Sequence, residues 1–162
     1  MKDKRFLFGL LVITLAFAMT VAGCENDLIP DPKLNGTWVY EYSDGRSQTL
    51  KFNNGSYEIS ITSSTGGFSG PHEKGTYTTG SGLINWSGVQ INGAHYASIE
   101  GFEDKWYSLK EYKEVMKSAG FETYTTGTPT YQVSGNTLTL TATTTKDSDG
   151  SVEESSSTWT KR

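Results

Sequence analysis

Cysteine is almost absent from this sequence, since Cys24 is the only one among 162 residues. A single thiol cannot form a disulfide within the chain, so we expect the folded domain to be stabilised by its hydrophobic core alone. Leucine is also scarce, whereas Ser, Thr, Tyr and Gly are abundant. That composition is typical of exposed β-structure.

Residues that could support catalysis are few and poorly spaced. The two histidines, His72 and His95, have no base or further metal ligand nearby in sequence. The acidic pairs at 103–104 and 153–154 would point to opposite faces of a strand, and the acidic stretch 147–150 is explained by a hairpin turn better than by a calcium loop. We therefore expect structural or solvated histidines, and we predict no enzyme activity, no metal and no cofactor.

Positive charge is in deficit. The first 23 residues carry three of the 14 basic residues and one of the 18 acidic ones, which leaves 11 basic and 17 acidic residues, a net charge of −6. This balance argues against nucleic acid as a partner and against electrostatic adhesion to anionic lipid.

One apolar run stands near the N-terminus. Lys2, Lys4 and Arg5 precede an uncharged stretch over residues 6–22 that ends in small side chains. This order is typical of an export signal, because the apolar stretch is too short to span a bilayer comfortably. The alternative is an uncleaved membrane anchor.

The end of this run, Val-Ala-Gly-Cys at residues 21–24, resembles the lipobox of bacterial lipoproteins. The resemblance implies that residues 1–23 are a signal peptide, that Cys24 becomes the acylated N-terminus, and that its acyl chains, palmitate among them, hold the protein on a membrane of the cell envelope. Glu25 is not the Asp that resembles an inner-membrane retention signal, which favours the outer membrane. Residues 24–33, with Pro30 and Pro32, form a short extended tether.

From residue 34 the apolar residues recur with a period of two. Strands are predicted at 37–42, 49–53, 57–62, 75–79, 83–91, 95–99, 130–133, 137–145 and 152–161, separated by Asx-Gly and other turn signals. Residues 63–71 are predicted to form a loop. Eight or nine short antiparallel strands favour an all-β fold, an up-and-down barrel over residues 34–162, with a β-sandwich as the alternative.

One helix is predicted inside this series of strands. Ser108 and Glu111 form a capping box, and an apolar stripe follows at helical spacing up to residue 119. Gly120 suits the position after the helix, where Phe121 can contact Met116. We expect this helix to lie across one mouth of the barrel with its stripe facing inward.

The domain opens with Leu-Asn-Gly-Thr-Trp at residues 34–38, which resembles the Gly-x-Trp start of lipocalins and lipocalin-like bacterial lipoproteins. The resemblance implies that Trp38 plugs the base of a barrel beside a basic residue of the closing strand, here Lys161. Lipocalins proper place their helix after the eighth strand, whereas this helix precedes the last strands.

Aromatic residues dominate the predicted interior. We predict a hollow barrel that binds one small apolar or amphipathic ligand; the alternative is a solid barrel that acts as a non-enzymatic interaction or structural protein of the membrane surface, its protein partner unknown. A cavity of several hundred Å³ would support the first and a packed centre the second. The candidate ligand-binding residues are Trp38, Tyr40, Tyr42, Phe52, Tyr57, Tyr77, Trp86, Tyr112, Met116 and Tyr131.

Overall fold

The computed structural model describes residues 29–63 and 69–162. The predicted signal peptide and Cys24 lie outside these residues. In chain order the strands are β1 (Gly36–Glu41), β2 (Ser47–Asn53), β3 (Ser56–Thr62), β4 (Gly70–Gly80), β5 (Leu83–Asn92), β6 (Trp106–Ser108), β7 (Tyr124–Thr126), β8 (Thr130–Ser134), β9 (Thr137–Lys146) and β10 (Val152–Lys161). A 3-10 helix spans Gly93–Tyr96, and the α-helix, α1, spans Leu109–Ser118.

Eight strands form a closed antiparallel barrel. Their order around the wall is β10, β1, β2, β3, β4, β5, β8 and β9, and β9 pairs again with β10. The first and last strands close the wall, with Trp38 opposite Lys161 and Val39 opposite Thr160. The predicted barrel is therefore confirmed and the sandwich alternative is not. Closure pairs the two terminal strands, whose free edges could otherwise pair with neighbouring molecules.

The two ends of the barrel differ in what covers them. At one end, here called the closed end, lie the tight turns at 54–55, 81–82 and 135–136. The opposite end carries the turns at 43–46 and 147–151, together with α1 and its flanking short strands, and is here called the helix end. The N-terminal residues of β1 enter at the closed end.

The wall is incomplete between β5 and β9 at the helix end. β5 pairs with β8 at one position only, Leu83 opposite Thr130. Beyond it, β6 covers the end of β5, and β7 covers the end of β9. Because α1 connects β6 to β7, the helix lies where the wall opens, which agrees with the predicted position at one mouth of the barrel.

The signals that predicted α1 form the expected contacts. Ser108 and Glu111 make the reciprocal capping box, with the Ser108 backbone N–H donating to the Glu111 carboxylate over 2.8 Å. At the other terminus Gly120 donates to Lys117, and Phe121 donates to the Met116 carbonyl over 2.9 Å. Local sequence alone therefore determines where this helix begins and ends.

The polypeptide between β5 and β6 differs from the prediction. The strand expected at 95–99 is wrong, since the chain forms the 3-10 helix there. Asn92 caps this helix by accepting a hydrogen bond from the Ala94 backbone N–H over 3.0 Å. Gly93 is required because a Cβ atom would collide with the Glu103 carbonyl and the Tyr107 ring. β4 also begins at residue 70 inside the predicted loop, and the sequence did not predict β6 or β7.

Candidate functional site

The half of the interior nearest the closed end is filled by aromatic rings. The Phe52 ring lies 4.8 Å from that of Tyr77 and 5.7 Å from that of Trp86, and the Tyr57 and Trp86 centroids are 4.2 Å apart. These four predicted ligand-binding residues contact one another, and each is at most 3 % exposed. Ring-to-ring packing of this kind leaves little of their surface for another molecule.

Trp38 seals the closed end. Its side chain is fully buried, its indole N–H donates to the Leu34 carbonyl over 2.7 Å, and the Lys161 ammonium lies 4.9 Å from its ring. The cation beside Trp38 is the contact that the sequence predicted from the closing strand. The contact between Trp38 and Lys161 thus joins the first strand of the barrel to the last.

Tyr40 and Tyr42 lie along the same inner face, further from the closed end. The Tyr40 ring contacts Tyr42 at 4.8 Å and Trp159 at 5.5 Å. The Tyr42 hydroxyl donates to the buried Gln48 side chain over 3.1 Å. Burial raises the pKa of Tyr42, so this hydroxyl stays protonated. Protein groups therefore already occupy the positions that a ligand would contact.

Between these groups the interior holds a cavity of about 20 Å³, room for roughly one water molecule. Pockets that bind small molecules measure roughly 300–1,000 Å³. Its walls are mainly apolar, with Gln48 and Ser155 as the polar members. The lining residues are Gln48, Leu50, Ile59, Pro129, Leu140, Ala142, Ser155 and Trp159.

A pair of polar residues enters the interior from β4, and sequence reasoning missed it. Ile59 faces Glu73 across the β3–β4 ladder while Ser60 faces Pro71, so His72 is an extra residue in a β-bulge. The bulge lets His72 and Glu73 both face inward, and each is fully buried. Strict alternation along a strand would have put one of them in solvent.

Glu73 is a neutral acid in the folded protein. Complete burial raises its pKa to about 8, and the hydrogen bond from the Tyr57 hydroxyl to Oε1, 2.7 Å long, only partly offsets this effect. Among the described residues no hydrogen-bonding partner faces the other oxygen, Oε2. The neighbouring carboxyl group in turn raises the pKa of Tyr57, after burial itself.

His72 is a neutral base. Burial is the main cause that lowers its pKa to about 3, with a smaller contribution from His95, whose ring lies 4.7 Å away. Its Nε2 atom shares a 3.0 Å hydrogen bond with the Tyr96 hydroxyl. Tyr96 belongs to the 3-10 helix, so this bond fastens that helix over the interior. The prediction of structural histidines agrees with this arrangement.

Tyr112 of α1 completes the cover at the helix end. Its ring packs 5.2 Å from Tyr96 and 5.6 Å from Phe102, and the residue is 8 % exposed. Leu109, Val115 and Met116 are half-buried against the same core. The apolar stripe of α1 therefore faces inward as expected, on a layer of rings rather than on an open mouth.

Met116 borders a second small cavity. It measures about 40 Å³ and lies between α1 and β7. A 3.0 Å ion pair between Lys113 and Asp147 holds the helix on this side, and Thr123 and Thr125 donate to the same carboxylate. Burial alone would raise the Asp147 pKa, but these hydrogen bonds lower it, so this carboxylate is charged at neutral pH.

Tyr131 is a predicted ligand-binding residue whose polar group contacts the chain at the closed end. Its ring is half-buried against the core, and its hydroxyl donates to Asp31 Oδ2 over 2.9 Å. The candidate residues thus lie in the aromatic layer near the closed end, in the tyrosine pair, in the closed-end contacts and on the inward face of α1.

Among residues 29–63 and 69–162, no group of three or more His, Cys, Asp or Glu side chains could hold a metal ion. Nor does this part of the chain form a helix with the length and hydropathy needed to cross a membrane.

Fold and site together define an antiparallel β-barrel with a filled interior. Comparison with protein-family models, with curated proteins and with solved structures finds no match to the chain.

Proposed function

We propose that this chain is an exported lipoprotein, acylated at Cys24, whose solid barrel acts as a non-enzymatic interaction or structural module on a membrane surface. The anchor is supported by the charged, apolar and small-residue order of residues 1–24. The mode of action is supported by one observation above all, the filled interior with its cavity of about 20 Å³. A binding role then belongs to the outer surface of the barrel.

Cys24→Ser is expected to abolish acylation and removal of the signal peptide. Acyl chains contribute roughly 0.8 kcal/mol for each buried CH₂ group and anchor the parent, whereas the variant would keep the apolar stretch 6–22. Metabolic labelling with a palmitate analogue should mark the parent and not the variant, and the variant should migrate as the longer, uncleaved precursor. Glu25→Gln is the matched control and should behave as the parent. Unchanged labelling of Cys24→Ser would contradict the proposal.

If the barrel is solid, we expect the purified lipoprotein to carry no bound small molecule. Native mass spectrometry of the detergent-extracted lipoprotein should give the mass of the chain with its acyl groups and no stoichiometric small molecule. A retained apolar molecule that unfolding releases would instead support the ligand-binding alternative.

That alternative has one structural feature in its favour, the opening in the wall between β5 and β9 that α1 covers. Movement of α1 would widen the 40 Å³ cavity beside Met116. A filled barrel is expected to show no saturable binding of a fluorescent fatty acid. Saturable binding that Met116→Trp weakens, and that Lys117→Trp on the exposed face of α1 leaves unchanged, would replace the solid barrel with a gated one.

A further inference from the structure

The residues that precede β1 are fixed to the closed end of the barrel. The Asp31 backbone N–H donates to the Thr79 hydroxyl over 2.8 Å, and that hydroxyl donates to the Ile29 carbonyl over 2.8 Å. Tyr131 adds its 2.9 Å hydrogen bond to the Asp31 carboxylate. Two separate strands, β4 and β8, thus hold the same short segment, here called the clasp (residues 29–35).

The rest of the clasp is equally well bound. Leu34 is fully buried, and its N–H donates back to Asp31 over 3.1 Å to close a turn. Asn35 exchanges two hydrogen bonds with Asn54, of 2.7 and 2.9 Å, in the β2–β3 turn. The segment that the sequence assigned to a free tether therefore belongs to the barrel from Ile29 onward.

This attachment leaves a very short connection to the anchor. Only five peptide steps separate Cys24 from Ile29, a reach of at most about 17 Å for an extended chain. The strands of the wall are up to 11 residues long. At about 3.3 Å per residue and a tilt near 40°, they make a barrel about 25 Å tall, so the anchor cannot reach past the closed end to the helix end.

We propose that the closed end of the barrel faces the lipid headgroups and that the clasp fixes this orientation, so that the helix end points away from the membrane. The inference rests on the acylation of Cys24 proposed above. In this orientation the closed end lies against the bilayer surface. The helix end, with α1 and the β9–β10 hairpin, is then the face that a protein partner can reach.

The surface chemistry of the two ends agrees with this orientation. Ile29, an apolar side chain that is 71 % exposed, is the described residue nearest to Cys24 along the chain. The exposed Lys33 also lies at the closed end, whereas the exposed Glu153 and Glu154 lie near the start of β10 at the helix end. An anionic bilayer would repel the acidic end, and such repulsion extends about 10 Å at ordinary salt.

Site-directed labelling of the full-length lipoprotein tests the orientation. Because Cys24 would be acylated, a cysteine introduced at Asn136 in the closed-end turn or at Ser148 in the helix-end turn is the only free thiol. Each labelled protein is reconstituted into phosphatidylcholine vesicles that contain an acceptor dye on the lipid headgroup. Energy transfer is expected to be several-fold more efficient from position 136 than from position 148.

Two controls separate the anchor from the orientation. Vesicle flotation of the same samples reports attachment: protein that fails to float would overturn the anchor and the orientation together, whereas floating protein with equal transfer from both sites would overturn the orientation alone. The double variant Thr79→Val/Tyr131→Phe removes the hydroxyls that hold the clasp. It should still float while the ratio of transfer between the two sites falls toward one. An unchanged ratio would show that the clasp does not set the orientation.

Discussion

Trp38→Ala is expected to lower the free energy of unfolding by about 3–5 kcal/mol, the range for large aromatic truncations in a core. The side chain is fully buried and seals the closed end. Its loss would also leave the Leu34 carbonyl without its indole donor and the Lys161 ammonium without its ring. Chemical denaturation followed by tyrosine and tryptophan fluorescence would measure the change.

Trp106→Ala is the matched control for this prediction. Trp106 is only half-buried, and its ring lies under the Lys74 ammonium at 4.1 Å, a contact that contributes roughly 0.5–1 kcal/mol. Its truncation should cost less than half as much as that of Trp38. Equal losses for the two variants would show that Trp38 does not hold the closed end together.

The second large effect concerns pH. The contribution of Glu73 to the free energy of unfolding is expected to fall by several kcal/mol as the pH rises from about 4.5 to 8, because Glu73 is a buried neutral acid. In the fold this group keeps its proton up to a pKa of about 8, whereas in the unfolded chain it releases the proton near its ordinary value of 4.5. Between those values the folded state binds more protons, so rising pH favours unfolding.

Glu73→Gln should remove this alkaline slope. Glutamine does not ionise, and its carbonyl can still accept the hydrogen bond from the Tyr57 hydroxyl. Each pKa unit corresponds to about 1.4 kcal/mol, so the variant should gain on the parent steadily from pH 5 to pH 8. Urea denaturation at a series of pH values measures the slope. An identical slope in the variant would show that Glu73 is ionised in the fold.

The acid side of the profile has the opposite sign and serves as an internal control. His72 stays neutral in the fold down to a pKa of about 3 but takes up a proton below about 6.5 when unfolded, so falling pH favours unfolding over that range. Asp147 adds to the same acid limb, because its hydrogen bonds favour the charged form. Between about pH 4.5 and 6.5 the two effects oppose each other, so the parent should be most stable in that range and should lose stability above it. Glu73→Gln should leave the acid limb in place.

In a filled barrel, interior residues stabilise the fold and the outer surface is left for recognition of a partner. Interior residues such as Phe52, Tyr57 and Trp86 stabilise the fold by packing on one another, so their substitution would report on stability and not on recognition. Recognition would instead depend on exposed side chains of α1 and of the β9–β10 hairpin. Those elements are held to each other by the Lys113–Asp147 ion pair.

Local signals in the sequence were sufficient for most of the architecture. Asx-Gly turns and alternating apolar residues predicted eight wall strands, since both signals act between residues a few positions apart. Ser108 and Glu111 predicted the start of α1 for the same reason. The resemblance at residues 34–38 implied that Trp38 lies beside Lys161 of the closing strand, and the observed contact agrees with the pairing of β1 with β10.

Only the tertiary structure decided what the barrel contains and how its N-terminal segment is held. Periodicity gives the face of a residue but not the volume enclosed, so it could not distinguish a lining of aromatic rings from a solid core. The bulge at His72 reverses alternation over one residue and depends on the pairing of β3 with β4. The contact of Asp31 with Tyr131 joins residues 100 positions apart, and no local pattern encodes an interaction that exists only once the barrel has closed.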